Sequence, residues 1–501
     1  MRIVPIAALA VLTFASAPVS AQETPQQIAQ SVLAGAGPGT RFGVVVMDDQ
    51  GREVVSIDPE GRYIPASNTK LFTTAAAFWK LEGNERPDQA SRTSVYLVRG
   101  RHKAADVVLY GRGDARLSSA PDCKVDCLST LADAIAAKTK VVGDVIGDAT
   151  MFPDERWSPG MSWNNIPTRS GTGIAALTLD DNEEVLTVAP TQGNSVIIAN
   201  PGYFRAVNDI EVKPEIEEMA YASLDPKVNG QPAPPVTNRT SLEPVRMPGS
   251  KVLYLTGTLL EKSEPQKIRA GVDDPADRAA WKLAKMLAER GVKFQGKALS
   301  RYAQSNNAKE QAVEEASLLI SEPVAETEPG PLEEDFRIIN KDSQNLHAEL
   351  LLRRLGRIEG TGSIADGQKV VTAMLTAAGL KPHQFSFSDG SGMSTYNRIA
   401  PRGAVTFLRW TQQQPWGAKF RETLPIGGVD GTLAGRFRGT ALQGRIFAKT
   451  GTINATNALA GWFTAKSGRT YTFAAYANDV PAGVSANRLV DAMLVKIAES
   501  Q

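Results

Sequence analysis

The sequence predicts an α+β protein, because strand-like and helix-like tracts occur in separate blocks of the chain. The first block contains a predicted β-hairpin over residues 42–56 and a helix that begins at Pro65. The last block contains two predicted strands, 458–465 and 470–477, and then an amphipathic helix over 488–498. Both ends of the chain therefore carry strands that could contribute to a sheet covered by helices.

The middle of the chain, from about residue 92 to residue 330, differs from both ends. Short β-like runs such as 107–110 and 195–198 alternate there with Gly, Pro and charged turn residues. One amphipathic helix, which begins at Pro275, interrupts this pattern. Two organisations fit these observations: a single domain split by a long insertion, or three domains in series.

The composition is that of a globular protein without the charge excess of a nucleic-acid binder. The 501 residues include 55 Lys and Arg against 54 Asp and Glu, a net charge of +1. Hydrophobic residues make up 42% and charged residues 22% of the chain, which is typical of folded domains. Three His and two Cys are too few for a zinc cluster or an iron–sulfur site, so we expect no metal and no other cofactor.

The first 21 residues are predicted to be a secretory signal peptide. A basic start is followed by the apolar run 3–17 and by small residues up to Ala21. A transmembrane anchor is the alternative, but the run is shorter than the ~20 apolar residues that a span needs. No later stretch is apolar enough to cross a bilayer. We therefore expect an exported protein that is soluble or weakly associated with a membrane.

Cys123 and Cys127 are separated by three residues. In an oxidising compartment this pair predicts a local disulfide, which would stabilise the protein by roughly 2 kcal/mol. A metal site would need two further ligands nearby, and none are evident in the sequence.

Three separated motifs carry residues suited to acyl transfer. The first contains Ser67 and Lys70, which a helix would place on one face, one turn apart. A serine hydroxyl needs a nearby base, and a lysine can serve when burial and a helix N-terminus lower its pKa. Alone, the pattern also fits a helix-capping serine with a surface lysine.

The second and third motifs lie far along the chain. Ser343 and Asn345 stand where a loop enters a predicted helix, and Lys449, Thr450, Gly451 and Thr452 follow a predicted strand. A strand-borne lysine could bind a substrate carboxylate, with the glycine allowing close backbone approach. Taken singly, each motif is more often structural than functional. Together and in this order they match the S-x-x-K, S-x-N and K-T-G set of serine acyl-enzymes.

The long separation between Ser67 and Ser343 favours the split-domain organisation. With this spacing the chain resembles the class C low-molecular-mass penicillin-binding proteins, the D-alanyl-D-alanine carboxypeptidase/endopeptidase family of penicillin-binding protein 4 type (peptidase family S13). The resemblance covers nearly the whole chain after the signal peptide. It extends to further runs in family order: 111–115, 143–148, 389–392 with Asn397, and 424–433.

The resemblance implies a transpeptidase/β-lactamase-like domain, an antiparallel sheet flanked by helices, with two mostly-β domains inserted between the first and second motifs. The expected bounds are 22–91 and 331–501 for this domain, 92–190 and 295–330 for inserted domain II, and 191–294 for inserted domain III.

The same resemblance implies the roles of the residues. Ser67 would be the acylated nucleophile and Lys70 its base, while Ser343 and Asn345 would pass protons to the leaving group and position the substrate amide. The set that would bind substrate comprises Lys449 and Thr450 for the terminal carboxylate, Gly451, Thr452 whose N–H joins that of Ser67 in an oxyanion hole, and Asn165 near a peptide side chain.

The expected function is that of a serine-type D-alanyl-D-alanine carboxypeptidase, with endopeptidase action as a further option, in the periplasm. Its partners would be peptidoglycan peptides and β-lactams, with no nucleic acid and no membrane span; the oligomeric state is open. A β-lactamase or esterase with the same serine chemistry is the alternative enzyme, and a catalytically silent penicillin-binding scaffold is the alternative of another class. Hydrolases and metallopeptidases with G-x-S-x-G or H-E-x-x-H motifs are disfavoured, because the chain lacks both.

Overall fold

The computed structural model describes residues 23–81, 83–191, 195–215, 239–303 and 322–501. The predicted signal peptide, residues 1–21, lies outside the described residues. Within the described ranges, none of the helices combines the length and the apolar character that crossing a membrane requires.

The last third of the chain is richer in helix than the middle. The α-helices span Pro25–Leu33, Thr69–Lys80, Leu128–Lys138, Pro275–Glu289, Leu332–Lys341, Asn345–Glu359, Ile364–Ala377, Pro401–Gln412, Gly417–Glu422 and Ala486–Ser500. Short 3₁₀ turns span Ala34–Ala36, Ala66–Asn68, Gln89–Ser91, Trp163–Asn165, Arg169–Gly171, Asp180–Asn182, Pro382–Gln384 and Gly431–Leu433.

The main sheet joins the two ends of the chain. Its antiparallel strands lie in the spatial order Ile446–Ile453, Thr456–Thr464, Thr470–Asn478, Arg41–Met47 and Glu53–Ile57. Since the first and last blocks of the chain pair directly, they form one domain, and the prediction of a split α+β domain is confirmed.

Both faces of this sheet are covered by helices, which explains why its three central strands are almost continuously buried. Val45 packs into the core on one face, whereas its neighbours Val44 and Val46 pack into the core on the other. The second face is covered by the terminal helices, Pro25–Leu33 and Ala486–Ser500.

The Thr69–Lys80 helix is the centre of the first face. It is buried on nearly all sides, between the sheet and the helices that begin at Leu332, Asn345 and Ile364. Small side chains along 73–77 permit this close packing, and Phe72 adds an aromatic contact at 4.7 Å with the ring of Phe407. This burial sets the environment of every polar side chain at the front of the helix.

The insertion forms further sheets. A mixed sheet contains Ala298–Ala303, Val145–Pro153, Asp106–Tyr110, Ser94–Val98 and Ala325–Glu326, in that order. Two three-stranded sheets contain Gln266–Gly271, Glu183–Pro190 and Val196–Ala199, and Ser241–Val245, Val252–Leu260 and Arg205–Lys213. A short pair joins Lys293–Phe294 to Val141–Val142 in the insertion, and a second short pair, outside the insertion, joins Phe385–Ser386 to Arg398–Ile399.

Two elements lie across the domain bounds expected from the sequence. Glu183–Pro190 pairs with Gln266–Gly271 and therefore groups with the three-stranded sheets instead of inserted domain II. The Pro275–Glu289 helix packs on Val145–Pro153 and Ala298–Ala303, because its apolar stripe completes the core of the mixed sheet. The pairing and packing thus group these two elements differently from the expected bounds at 190 and 294, which stay a prediction.

Cys123 and Cys127 are joined by a disulfide, with their Cα atoms 5.7 Å apart. Cys127 is the residue that precedes the Leu128–Lys138 helix. The bridge therefore closes the turn that leads into this helix.

We predict that both cysteines are oxidised in the folded protein, so alkylation without reductant should modify neither thiol. The double variant Cys123→Ser/Cys127→Ser should lose roughly 2 kcal/mol of unfolding free energy, measured by chemical denaturation, because the unfolded chain is no longer constrained. Two reactive thiols in the native exported protein would contradict this prediction.

Candidate active site

Ser67 lies at the front of the buried central helix. The Ala66–Asn68 turn leads directly into Thr69–Lys80, so that Ser67 precedes the helix and is half-buried at its N-terminus. Ala66 has a φ of 46°, in the left-handed region that a non-glycine residue rarely adopts. The strained turn places the Ser67 side chain within reach of Lys70, one turn further along.

Two glycines allow other segments to approach this turn. A Cβ atom on Gly392 would lie 1.9 Å from the carbonyl oxygen of Ala66, and one on Gly451 would lie 2.6 Å from that of Pro65. No side chain fits at either position without displacing backbone. The loop after Asp389 and the edge strand of the main sheet therefore flank Ser67 closely on two sides.

The Lys70 amine is enclosed by three hydrogen-bond acceptors. Its Nζ donates to Ser67 Oγ at 2.9 Å, to Asn345 Oδ1 at 2.6 Å and to the carbonyl oxygen of Ser391 at 2.6 Å. Lys70 has no exposed surface. Three acceptors match the three hydrogens of an ammonium group, so the side chain has one defined position.

Burial lowers the pKa of Lys70 to about 7, while the carboxylates of Asp389 and Glu349 partly offset this effect by favouring the ammonium form. A base with a pKa near neutrality is half deprotonated under physiological conditions. The Lys70 amine can therefore take a proton from the Ser67 hydroxyl that it contacts.

The second lysine, Lys449, lies on the edge strand Ile446–Ile453 and is also fully buried. Its Nζ donates to Ser343 Oγ at 2.9 Å and to the carbonyl oxygen of Thr450 at 3.1 Å. Burial, reinforced by the positive charge of Lys70, holds the pKa of Lys449 well below its usual value. An incoming carboxylate would favour the charged form of this lysine.

Asn345 connects the catalytic domain with the insertion. Its Oδ1 accepts from Lys70, and its Nδ2 donates to the carbonyl oxygen of Ser170 at 3.0 Å. The residue begins the Asn345–Glu359 helix, whose preceding residue Gln344 caps it by accepting from the Leu346 amide. The cap and the two side-chain bonds hold the amide of Asn345 in one orientation.

The three motifs converge on an open cleft of about 490 Å³. Lys70 and Lys449 lie behind its wall, each hydrogen-bonded to a serine that faces the cleft. Thr450 Oγ1 lies 2.7 Å from the hydroxyl of Thr432, at one edge of the cleft. The lining residues are Ser67, Arg169, Ser170, Asp342, Ser343, Gln344, Asn345, Met393, Thr432, Arg436, Thr450, Gly451, Thr452 and Asn487.

Asn165 is not among the residues that line this cleft, and its expected place near a peptide side chain stays a prediction. Its backbone carbonyl accepts from the amide of Thr168 at 2.9 Å and from the hydroxyl of Thr168 at 2.7 Å. These bonds close a turn, and the chain beyond it presents Arg169 and Ser170 to the cleft instead.

Sequence analysis also missed Glu349. This buried residue lies four positions after Asn345 on the same helix, so helical periodicity would have placed both on one face. Its carboxylate accepts from the backbone amides of Gly390 and Ser391. No comparable sequence pattern indicates Arg169 and Ser170, because their positions depend on the path of a loop.

We predict that Gly392→Ala strongly slows any acylation of Ser67. The new Cβ would collide with the carbonyl of Ala66 and shift the turn that carries Ser67. A 1 Å misplacement can cost on the order of 100-fold in rate, which stopped-flow acylation by a β-lactam would measure. Gly468→Ala is the matched control, since Gly468 has a similar φ of +88° and nothing within 4 Å of its Cβ position. Equal acylation rates in the two variants would contradict this account.

Comparison with known proteins agrees with the motifs. A family model described as the D-Ala-D-Ala carboxypeptidase 3 (S13) family matches residues 25–501. The D-alanyl-D-alanine carboxypeptidase of Actinomadura sp. (strain R39) is 29% identical over 469 residues, which cover 92% of this chain and 82% of that protein. The D-alanyl-D-alanine carboxypeptidase DacB of Haemophilus influenzae is 24% identical over 469 residues, covering 91% of this chain and 89% of that protein.

The fold has a close counterpart among solved structures. Penicillin binding protein 4 from Haemophilus influenzae superposes with a TM-score of 0.72 at 22% identity, over 93% of this chain and 97% of that one. This likeness confirms the expected fold class along nearly the whole chain. Since the family model also spans both the catalytic segments and the insertion, the chain belongs to the D-Ala-D-Ala carboxypeptidase 3 (S13) family.

Proposed function

We propose that this serine D-Ala-D-Ala carboxypeptidase works through an acyl-enzyme on Ser67, with Lys70 as the base. The observation that carries the proposal is the 2.9 Å contact between the buried Lys70 amine and Ser67 Oγ. Burial lowers the pKa of Lys70 to about 7, so the proton of Ser67 has an acceptor at neutral pH. The substrates would be peptidoglycan peptides, and β-lactams would acylate the same serine.

In the acylation step, Ser67 Oγ forms a bond to the carbonyl carbon of the terminal peptide bond, and the hydroxyl proton passes to Lys70 Nζ. The backbone N–H groups of Ser67 and Thr452 would stabilise the negative oxygen of the tetrahedral intermediate. When the C–N bond breaks, the leaving nitrogen of D-alanine needs a proton. Ser343 is suited to donate it, because its Oγ accepts from Lys449 and its own hydrogen is free for the substrate. The proton held on Lys70 would then replace the one that Ser343 gave up, which leaves Lys70 neutral for the next step.

Water then attacks the ester carbonyl of the acyl-enzyme. Lys70 Nζ can take a proton from this water and return one to Ser67 Oγ as the ester bond breaks, which completes the cycle. The terminal carboxylate of the substrate would be held by Lys449 and the hydroxyl of Thr450. This charge pairing would also compensate the burial of the Lys449 ammonium.

Export belongs to the same proposal. The predicted signal peptide over residues 1–21 would deliver the enzyme to the periplasm, where peptidoglycan peptides are accessible. Incubation of the purified enzyme with defined muropeptides, followed by mass analysis, would separate release of D-alanine from cleavage of cross-linked peptides.

We predict that benzylpenicillin forms a long-lived adduct on Ser67. After ring opening the leaving nitrogen stays tethered to the acyl group and can block the path of water, whereas D-alanine departs. Intact-protein mass spectrometry should show one penicillin per chain, and peptide mapping should place it on Ser67. Ser67→Ala should lose both the adduct and D-alanine release. Rapid hydrolysis of the adduct without peptidase activity would instead assign a β-lactamase, and no reaction with either compound would assign a silent scaffold.

We predict that acylation accelerates as pH rises through about 7, because only neutral Lys70 can accept the Ser67 proton. The Lys70→Met variant should lose this dependence and acylate at least about 100-fold more slowly, while retaining the fold. Lys80→Met is a matched control at the other end of the same helix, where Lys80 pairs with Glu359 at 3.1 Å. Near-normal acylation by Lys70→Met would exclude lysine as the base.

A further inference from the structure

A buried carboxylate that the reaction scheme does not use lies behind Lys70. Glu349, on the Asn345–Glu359 helix, is only 5% exposed. Its Oε1 accepts from the backbone amide of Gly390 at 2.9 Å and from that of Ser391 at 2.8 Å. Two backbone donors on one oxygen attach the helix firmly to the loop that passes Lys70.

The loop residue Ser391 is hydrogen-bonded to both Glu349 and the Lys70 amine. Its N–H is held by Glu349, and its carbonyl oxygen accepts from Lys70 Nζ at 2.6 Å. On the far side of each peptide bond, Thr73 Oγ1 donates to the Gly390 carbonyl at 2.7 Å, and the Gly392 amide donates to Asp389 Oδ1 at 2.9 Å. Both peptide planes around Ser391 are thus held at both ends, and Glu349 supplies one of the four contacts.

Among the described residues, no cationic side chain is hydrogen-bonded to the second carboxylate oxygen of Glu349. Its Oε2 is buried and has no hydrogen-bond partner among the residues that the structure describes. Arg353, one turn further along the helix, donates to Glu155 of the insertion at 3.0 Å instead. Glu349 lines a cavity of about 20 Å³ next to Asn345 and Ser391, which has room for one water molecule.

We propose that Glu349 is a positioning residue for acylation: it holds the Ser391 peptide so that its carbonyl fixes the Lys70 amine against Ser67, and its charge favours the ammonium that proton transfer creates. The inference rests on the proposed role of Lys70 as the base. It assigns to this carboxylate a function in rate and pH dependence in addition to its packing.

The charged groups around the pair are few. Asp389 faces both Lys70 and Glu349 from the loop, Lys449 faces Lys70 from the edge strand, and Arg353 faces Glu349 from its own helix. Arg156 of the insertion lines the same small cavity. Burial and the charge of Asp389 raise the pKa of Glu349, whereas the charge of Glu349 counteracts the lowering of the Lys70 pKa.

The test compares the pH dependence of acylation by benzylpenicillin in the wild type, Glu349→Gln and Glu349→Asp. Gln keeps an acceptor for the two amides but removes the charge, so the pKa of Lys70 should fall. The rise of the acylation rate with pH, the ascending limb of the pH–rate profile, should therefore move to lower pH. Asp keeps the charge but is one methylene shorter. Acylation should therefore slow by roughly 10–100-fold at every pH without a shift of the limb.

Glu184→Gln is the matched control for loss of a buried carboxylate. Glu184 is 1% exposed and accepts from Arg278 at 2.8 Å within the insertion. This variant should lose thermal stability but keep the wild-type pH profile.

Two results would overturn the inference. The first is a Glu349→Gln variant whose acylation rate rises at the same pH as that of the wild type or at a higher pH. The second is a Glu349→Asp variant that acylates at the wild-type rate. If Glu349→Gln does not fold, the rate of Glu349→Asp decides. Retained acylation in Lys70→Met would contradict the proposed function itself. If Lys70→Met loses acylation but both Glu349 variants keep the wild-type acylation rate and pH dependence, only the inference about Glu349 is contradicted.

Discussion

Lys70 Nζ donates to acceptors from three parts of the chain, and the arrangement of the site depends on this group. Ser67 is three residues away, Asn345 is 275 residues away, and Ser391 is 321 residues away. An amine buried without exposed surface must have such partners, because an unsatisfied buried donor costs on the order of 1–3 kcal/mol. The requirement couples the central helix, the Asn345–Glu359 helix and the loop after Asp389, and so fixes the position of Ser67 relative to Asn345 and Ser391.

The electrostatics of the site follow from the same burial. Burial depresses the pKa of both Lys70 and Lys449, and the charge of Lys70 adds to the effect on Lys449. Asp389 and Glu349, placed behind Lys70, limit the shift and leave its pKa at about 7. The cleft thus contains one lysine suited to accept a proton and a second that gains its charge most readily when a carboxylate binds.

The insertion contributes to this alignment through charged contacts with the catalytic domain. Although burial opposes it, hydrogen bonds to Asp181 of the insertion and to Asp335 raise the pKa of His347 to about 9. His347 is therefore an imidazolium at neutral pH, bonded to both parts of the molecule two residues after Asn345. Together with the contact between Arg353 and Glu155, this bridge holds the segment around Ser170 against the cleft.

The sequence by itself determined the fold class, the split of the catalytic domain, and the identity and order of the three motifs. The long separation between Ser67 and Ser343 indicated the split, and the i, i+3 spacing of Ser67 and Lys70 defines one helix face wherever that helix lies. Only the tertiary structure placed Ser391 at Lys70 and Glu349 at Ser391, and brought Arg169 and Ser170 into the cleft wall. It also showed which strands of the insertion pair with one another. These features depend on the paths of loops and on pairing between distant segments, which hydrophobic patterns along the chain do not specify.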